Sequence, residues 1–196
     1  MKYEYDMVIL GGGSAGLVAS KLARGLGKKV VIIEKNRLGG ECTWTGCIPS
    51  KTIIKSAYVA HIFSDMQKFG LTASQPVVID SSHVLQHVRN VIYDIYQTHT
   101  PEKLRALGID VIQGDPSFLD KHNLSVNGTT ISFDKAIIAT GSHPYIPRID
   151  GIENIPYLTN NNFFNLETLP TSLIILGGGA IGCEIACALN RLGVKV

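Results

Sequence analysis

The sequence contains no apolar run that reaches the roughly 18 residues of a membrane span. Its first ten residues, MKYEYDMVIL, place acidic side chains ahead of a short apolar run, whereas a secretory signal begins with basic residues. We therefore expect a cytoplasmic protein that makes no contact with a membrane.

The chain also lacks a marked excess of positive or negative charge. Charged residues make up 17% of the chain, the formal net charge is +2, and like charges form no block. Nucleic-acid binding usually needs a basic patch or stripe, so we expect no nucleic-acid partner. The 45% of hydrophobic residues and the 20 glycines instead favour a globular α/β protein with tight turns.

Cysteine is rare, but two of the four cysteines, Cys42 and Cys47, have only four residues between them. In a reducing compartment such a pair is more often catalytic or metal-binding than a stable disulfide. A zinc site usually needs a second cysteine pair or histidines at short spacing, and none follows. His83 and His87 are one helical turn apart but lack further ligands, so no metal site is predicted.

A glycine-rich turn follows the first apolar run. The predicted strand Tyr5–Leu10 leads into Gly11-x-Gly13-x-x-Gly16, which opens a helix, and a second apolar run ends at Glu34. The glycines permit a tight turn and close approach of a pyrophosphate, and the helix N-terminus offers N–H groups to phosphates. The Glu34 carboxylate can accept hydrogen bonds from ribose hydroxyls. This order predicts dinucleotide binding; the alternative is a glycine turn without a ligand.

The same pattern returns 166 residues later, where the apolar run LIIL precedes Gly177-x-Gly179-x-x-Gly182. The acidic residue that distinguishes NAD from NADP is expected about 20 residues beyond such a turn, and the sequence ends before that position. We expect a phosphate cradle in half of a second Rossmann unit, with an exposed sheet edge. Cys183 and Cys187 lie in the apolar helix that follows and are predicted to be buried and inert.

The rest of the chain completes an α/β pattern. Helices are predicted from near Pro49 and near Ser81, with the loop FGLTASQPVVID between them, and a strand is predicted at Ile109–Gln113. Asn127-Gly128 predicts a hairpin, and KAIIATGS predicts another buried strand. The fold class is a Rossmann-like doubly wound domain with a parallel sheet and an antiparallel hairpin, followed by the start of a second Rossmann unit. The predicted domains are residues 1–150 and 151–196.

The cysteine pair fits a redox dithiol. Cys47 lies next to the predicted helix start, and a helix N-terminus stabilises a thiolate, as does the nearby Lys51. A reversible disulfide needs an electron source, and the chain offers two glycine turns for dinucleotides. The residues therefore suggest electron transfer between a bound dinucleotide and a disulfide.

The stretch GGECTWTGCIPSK resembles the active-site segment of the class I FAD-dependent pyridine nucleotide-disulfide oxidoreductases, such as glutathione reductase, dihydrolipoamide dehydrogenase and mercuric reductase. Four motifs occur in the order found in this family: the first glycine turn, the cysteine pair with Pro-Ser-Lys, ATGS, and the second glycine turn. Glu41 departs from the pattern, because threonine is more usual there. TWTGC is similar to the mercuric reductase-like branch.

The resemblance implies FAD and NAD(P)H as cofactors. Cys42 would exchange with substrate, while the Cys47 thiolate would lie against the flavin in a charge-transfer pair. Lys51 and Glu184 would form an ion pair beside the flavin's reactive nitrogen. NAD(P)H would bind at the second glycine turn, and the residues implied to hold FAD are Gly11, Gly13, Ser14, Ala15, Gly16, Glu34, Lys35, Gly40, Glu41, Cys42, Lys51, Gly114, Asp115, Thr140, Gly141 and Ser142.

By the same resemblance, the parent protein is an enzyme that passes electrons from NAD(P)H through FAD to the disulfide Cys42–Cys47. A small-molecule disulfide, a dithiol or a metal ion would be the substrate. The family's acid-base histidine and dimer interface lie in a C-terminal domain, so the parent is expected to be a homodimer and the FAD domain to be incomplete here. One alternative is a non-enzymatic FAD-binding fragment, and another is a thiol-based sensor or metal carrier.

Overall fold

The structure is a computed structural model that describes residues 2–75 and 78–196. Pro76 and Val77, in the predicted loop before the second long helix, lie outside the described residues. The strands are β1 (Tyr5–Leu10), β2 (Val30–Glu34), β3 (Ile109–Gln113), β4 (Ser117–Phe118), β5 (Asn123–Val126) and β6 (Thr129–Ile138). The helices are α1 (Ser14–Gly25), α2 (Gly40–Trp44), α3 (Cys47–Asp65), α4 (Ser81–Tyr96), α5 (Pro101–Ala106), α6 (Asn160–Phe163) and α7 (Ala180–Arg191), with short 3-10 helices at Met66–Phe69 and Ile152–Asn154.

The chain divides into two compact units. The first unit comprises Met1–Trp44 and Asp94–Pro147, and the second comprises Thr45–Tyr93 and Arg148–Val196. The domain boundary expected at residue 150 stays a prediction.

The first unit contains a six-stranded sheet in the order β3-β2-β1-β6-β5-β4. Strand β1 is parallel to β2 and to β6, with Val8 opposite both Val31 and Ala136, and β2 is parallel to β3. Strands β4, β5 and β6 are antiparallel. The mixed sheet confirms the α/β fold class predicted from the sequence.

The two faces of this sheet carry separate apolar clusters, because successive side chains of a strand point to opposite faces. Val8 and Leu10 belong to one cluster, with Leu124 and Phe133 of the antiparallel strands. Ile9 belongs to the other cluster, which includes Leu17 of α1, Leu104 of α5 and side chains of β2 and β3. The continuous apolar run of β2 is therefore buried on both faces, as is usual for a parallel strand between covering layers.

The predicted hairpin is confirmed. Asn127 and Gly128 have φ angles of 51° and 79°, and they connect β5 to β6. Two positive φ angles are required by the type I′ turn, which matches the right-handed twist of the paired strands.

The sequence predicts a separate buried strand at KAII, and the structure differs. The segment is the second half of β6, and Lys135, Ala136 and Ile138 are exposed, Ile138 to 68%. An apolar run is buried on both faces only where other elements cover both faces. The pairing of β5 with β6 ends at Ser132, so among the described residues the rest of β6 pairs with β1 alone.

In the second unit, α3 packs against α7. Buried side chains there include Ile53 and Ala57 of α3 and Ile185, Ala188 and Leu189 of α7. Helix α3 begins two residues before the predicted start at Pro49, and α4 begins at the predicted Ser81.

The strand expected before the second glycine turn is not formed, so that prediction is wrong. The segment makes a single parallel bridge, between Ser172 and Lys195, and Ile174 and Leu176 are 87% and 69% exposed. A strand needs hydrogen-bond partners along its length. The LIIL run has the composition of a buried strand, but the described residues give it only this bridge.

We predict that Leu124→Ala lowers the free energy of unfolding by about 2–5 kcal/mol, because Leu124 is fully buried in the apolar cluster that contains Val8 and Leu10. The matched control is Leu119→Ala in the preceding turn, where the side chain is 59% exposed and a change within about 0.5 kcal/mol is expected. Urea unfolding of both variants measures the difference. Equal losses for the two variants would contradict the placement of Leu124 in the core.

Candidate functional site

The first glycine turn brings three backbone segments into contact. Gly11 has a φ angle of +99°, and a Cβ there would overlap the carbonyl oxygen of Ala139, at the end of β6. A Cβ on Gly16 would overlap the carbonyl oxygen of Gly11. Glycine at these positions therefore lets α1 start directly against the ends of β1 and β6.

The start of α1 is arranged to bind an anion. Gly13 is the N-cap and has no side-chain oxygen, and no side chain among the described residues caps this helix. A Cβ on Gly13 would meet only the Cα of Gly40, at 3.7 Å, and Ser14 and Ala15 are exposed. N–H groups at the N-terminus of a helix attract phosphate oxygens, so this turn fits the pyrophosphate of a dinucleotide.

Glu34 ends β2 beside this turn. Its Oε2 accepts a hydrogen bond from the Gly12 N–H at 2.7 Å, and its Oε1 accepts one from the Asn36 N–H at 2.8 Å. Each carboxylate oxygen keeps a second lone pair, with which it can accept a ribose hydroxyl. The neighbouring Lys35 is exposed.

Two further predicted segments lie at the same edge of the sheet. The Gly114 N–H donates to the Glu34 carbonyl at 3.0 Å, and Asp115 beside it is exposed. Thr140 follows β6, and its Cα is 3.1 Å from the position of a Cβ on Gly11. Gly141 and Ser142 follow it and are exposed. The carboxyl ends of the parallel strands thus gather the residues predicted to hold FAD in the first unit.

Helix α2, which carries Cys42, was not predicted from the sequence. Its first residue, Gly40, packs against the glycine turn, because a Cβ there would lie 2.7 Å from the Cα of Gly13. Cys42 is half-buried, Glu41 is exposed and Thr43 is 5% exposed. The structure therefore places Cys42 within one helical turn of the contact between α2 and the first glycine turn.

An aromatic cluster supports α2, and sequence reasoning did not identify it. The Arg37 guanidinium lies 3.7 Å from the centre of the Trp44 ring, and Trp44 lies 5.1 Å from Tyr96. Tyr96 in turn meets His99 edge-on at 5.8 Å. The Trp44 indole N–H donates to the carbonyl of Leu38 at 2.8 Å. The single tryptophan of the chain, inside the cysteine motif, is the sequence signal that could have indicated this cluster.

His99 is a buried histidine, only 6% exposed. Burial and the positive charge of Lys21 lower its pKa, so the imidazole is neutral at neutral pH. Its Nε2 has no hydrogen-bond partner among residues 2–75 and 78–196.

In the second unit, Cys47 is the first residue of the 19-residue helix α3 and is exposed. One turn later, the Lys51 Nζ lies 2.9 Å from Oε2 and 3.2 Å from Oε1 of Glu184, on α7. The structure therefore joins these two residues, which the sequence separates by 133 positions. Their role beside a flavin stays a prediction.

The second glycine turn repeats the geometry of the first. Gly177 has a φ angle of +109°, and a Cβ on Gly182 would overlap the Gly177 carbonyl oxygen. Gly179 is the N-cap of α7, again without a side-chain cap, with φ −75° and ψ 176° against −78° and −169° at Gly13. This turn has the backbone of a phosphate cradle although the strand before it is not formed.

The expectation that Cys183 and Cys187 are buried is wrong, because both are exposed. They lie one turn apart on α7, on a different face from the buried Ile185, Ala188 and Leu189. The Cys183 thiol donates to the carbonyl of Gly178 at 3.3 Å.

Among the described residues, no helix is both long enough and apolar enough for a membrane span. The same part of the chain contains no group of three or more His, Cys, Asp or Glu side chains that could hold a metal ion. The cytoplasmic location expected from the sequence stays a prediction.

Comparisons with known proteins point to one family. A sequence model described as pyridine nucleotide-disulphide oxidoreductase matches residues 5–196. The chain is 31% identical over 193 residues to a mercuric reductase of Lysinibacillus sphaericus, and 35% identical over 200 residues to a dihydrolipoyl dehydrogenase of Acholeplasma laidlawii. These alignments cover 98% and 100% of this chain but only 35% and 59% of the relatives.

A solved structure is also similar, that of the HOCl-induced flavoprotein disulfide reductase RclA from Escherichia coli. It has 32% sequence identity and a TM-score of 0.82, over 98% of this chain and 41% of that chain. The chain thus spans about a third to three fifths of the length of the proteins it resembles.

We predict that Glu184→Gln changes the free energy of unfolding by less than about 1 kcal/mol. The side chains of Lys51 and Glu184 are 63% and 40% exposed, and exposed ion pairs contribute little to stability. Urea unfolding in low and high salt measures the change. A loss of several kcal/mol would show that the pair is a main support of the second unit, contrary to its exposure.

We predict that acidification destabilises the chain through His99. Because its folded pKa lies below the unfolded value of about 6.5, the unfolded state binds the proton first, and the free energy of unfolding falls as pH drops from about 6.5 towards the folded pKa. His99→Gln should remove this part of the slope, whereas His143→Gln, at an exposed position, should keep it. Urea unfolding from about pH 4 to about pH 8, an interval that spans the titration of histidine, measures both slopes. Equal slopes in wild type and His99→Gln would contradict the assignment.

Proposed function

The chain belongs to the pyridine nucleotide-disulphide oxidoreductase family, and we propose that it binds FAD in its first unit and carries Cys42 and Cys47 as a redox-active pair. The observation that carries the proposal is the packing of Gly40 on Gly13, which sets the helix of Cys42 against the phosphate cradle. The match of residues 5–196 to this family confirms the family expected from the sequence motifs. The cofactor, the electron path and the site residues of this chain are what we propose.

The residues of the first unit fit FAD. The N-terminus of α1 would hold the pyrophosphate, and the Glu34 carboxylate, oriented by two backbone N–H groups, would accept the ribose hydroxyls. Gly114 and Thr140 border the same cradle. Bound FAD would supply a two-electron carrier between a nicotinamide and a disulfide.

The cysteine pair would supply the thiol chemistry. Oxidation of the two thiols forms one S–S bond and releases two electrons and two protons, and reduction reverses this step. A thiolate is the reactive form, and Cys47 lies at the start of α3, where a helix N-terminus would favour it. Cys42, which is half-buried on α2, would exchange with the substrate.

The second glycine turn would take the nicotinamide dinucleotide. Its backbone repeats the first cradle, and the helix α7 that starts there also carries Glu184, the ion-pair partner of Lys51. The substrate of the whole protein would be a small-molecule disulfide, a dithiol or a metal ion, as the names dihydrolipoyl dehydrogenase and mercuric reductase of its relatives suggest. From the family membership we also propose that the whole protein is a homodimer.

A second candidate function is FAD binding without turnover by these 196 residues. The described part of the second unit forms no strand before Gly177, and the chain covers 59% or less of the relatives named above. NAD(P)H oxidation by the purified chain, at a rate that depends on Cys42, would exclude this candidate.

The test of the redox role compares two serine variants of the FAD-loaded chain. In wild type, anaerobic reduction with a dithiol should produce a long-wavelength absorbance band from the thiolate beside the flavin. Cys47→Ser should lose the band and keep FAD. Cys183→Ser, which alters an exposed thiol outside the pair, is the matched control and should keep both. A band that survives in Cys47→Ser would refute the assignment.

A further inference from the structure

His99 lies directly behind the segment that carries Cys42. A Cβ on Gly39 would meet the His99 Nε2 at 2.8 Å and the Thr43 Oγ1 at 2.7 Å. Gly39 has a φ angle of +102° and is buried. The two polar atoms therefore converge on the space that the missing side chain of Gly39 leaves open.

The hydrogen bonds of Thr98 fix the tautomer of His99. The Thr98 hydroxyl donates its one hydrogen to the carbonyl of Ile95, at 2.8 Å. Its oxygen also lies 3.1 Å from the His99 Nδ1, so that contact needs the hydrogen on Nδ1. A neutral imidazole with Nδ1–H has a bare lone pair on Nε2. His99 thus presents a buried acceptor to Gly39 and Thr43.

A buried acceptor without a donor is costly, and native proteins usually provide a partner. The Thr43 hydroxyl is a donor group whose oxygen adjoins the same point beside Gly39. Thr43 is also buried and directly follows Cys42 on α2. Because they lie 2.7 Å and 2.8 Å from the position of a Gly39 Cβ, the Thr43 Oγ1 and the His99 Nε2 are no more than 5.5 Å apart.

We propose that His99 is a positioning residue for Cys42, and that its Nε2 accepts a hydrogen bond from the Thr43 hydroxyl after a small shift of α2. This Thr43–His99 hydrogen bond holds α2 against the aromatic cluster and restricts access to the Cys42 thiol. The importance of that restriction for redox chemistry rests on the proposed function. The hydrogen bond itself does not depend on a bound cofactor.

Four variants distinguish a role of the His99 Nε2 as a hydrogen-bond acceptor from a role of the side chain in packing alone. His99→Gln keeps a side-chain acceptor near the position of Nε2, whereas His99→Phe keeps a ring that can pack on Tyr96 but has no acceptor. Thr43→Val removes the hydroxyl at nearly constant volume, and Thr43→Ser retains it. The rate of Cys42 alkylation by iodoacetamide is measured by peptide mass spectrometry in the full 196-residue chain, with the exposed Cys183 as internal reference.

We expect the ratio of the Cys42 rate to the Cys183 rate to rise about fivefold or more in His99→Phe and Thr43→Val, because α2 opens more often. His99→Gln and Thr43→Ser should stay within about twofold of wild type. The double variant His99→Phe with Thr43→Val should exceed neither single variant, since both remove the same interaction. The emission of Trp44, the single tryptophan, reports the same loosening of α2.

The proposal is overturned if His99→Phe matches wild type while His99→Gln does not, because His99 would then only fill space. It is also overturned if Thr43→Val matches wild type, or if the effects of Thr43→Val and His99→Phe add. Should His99→Phe fail to fold, the Thr43 pair alone decides. No readout uses FAD, so a chain that fails to bind FAD would refute the proposed function and leave this result intact.

Discussion

Close backbone packing at the first glycine turn is the contact on which the site depends. Three segments meet there without intervening side chains: Gly11 against Ala139, Gly16 against Gly11, and Gly40 against Gly13. A methyl group at Gly11 or Gly16 would overlap a carbonyl oxygen. The turn therefore fixes how β1, β6, α1 and α2 approach one another, and it leaves the N-terminus of α1 accessible to an anion.

From this contact the proposed chemistry follows in steps. The parallel strands bring Glu34, Gly114 and Thr140 to one edge of the sheet, where a dinucleotide would lie. Helix α2 sets Cys42 against that edge, and the cluster of Trp44, Tyr96 and His99 supports it from behind. Within the second unit lie Cys47, the Lys51–Glu184 ion pair and a second glycine turn of the same backbone form.

Features that depend on local chemistry could be predicted from the sequence. The apolar runs of β1 and β2, the glycine turns and the Asn127-Gly128 hairpin each carry their own signal, and the motif order led to the family that the comparisons confirm. Features set by tertiary contacts could not be predicted. Helix α2 and the burial of His99 depend on neighbours distant in sequence, and the LIIL run lacks the strand partners that its composition demands. The roles of Cys42, Cys47 and Lys51 stay predictions.

We propose that the first unit binds FAD, and calorimetric titration of the purified chain with FAD is the decisive test. We expect saturable binding of one FAD per chain, weakened by Glu34→Gln because the ribose would lose a charged acceptor. A chain that is folded by circular dichroism but takes up no FAD at saturating concentrations would contradict the claim.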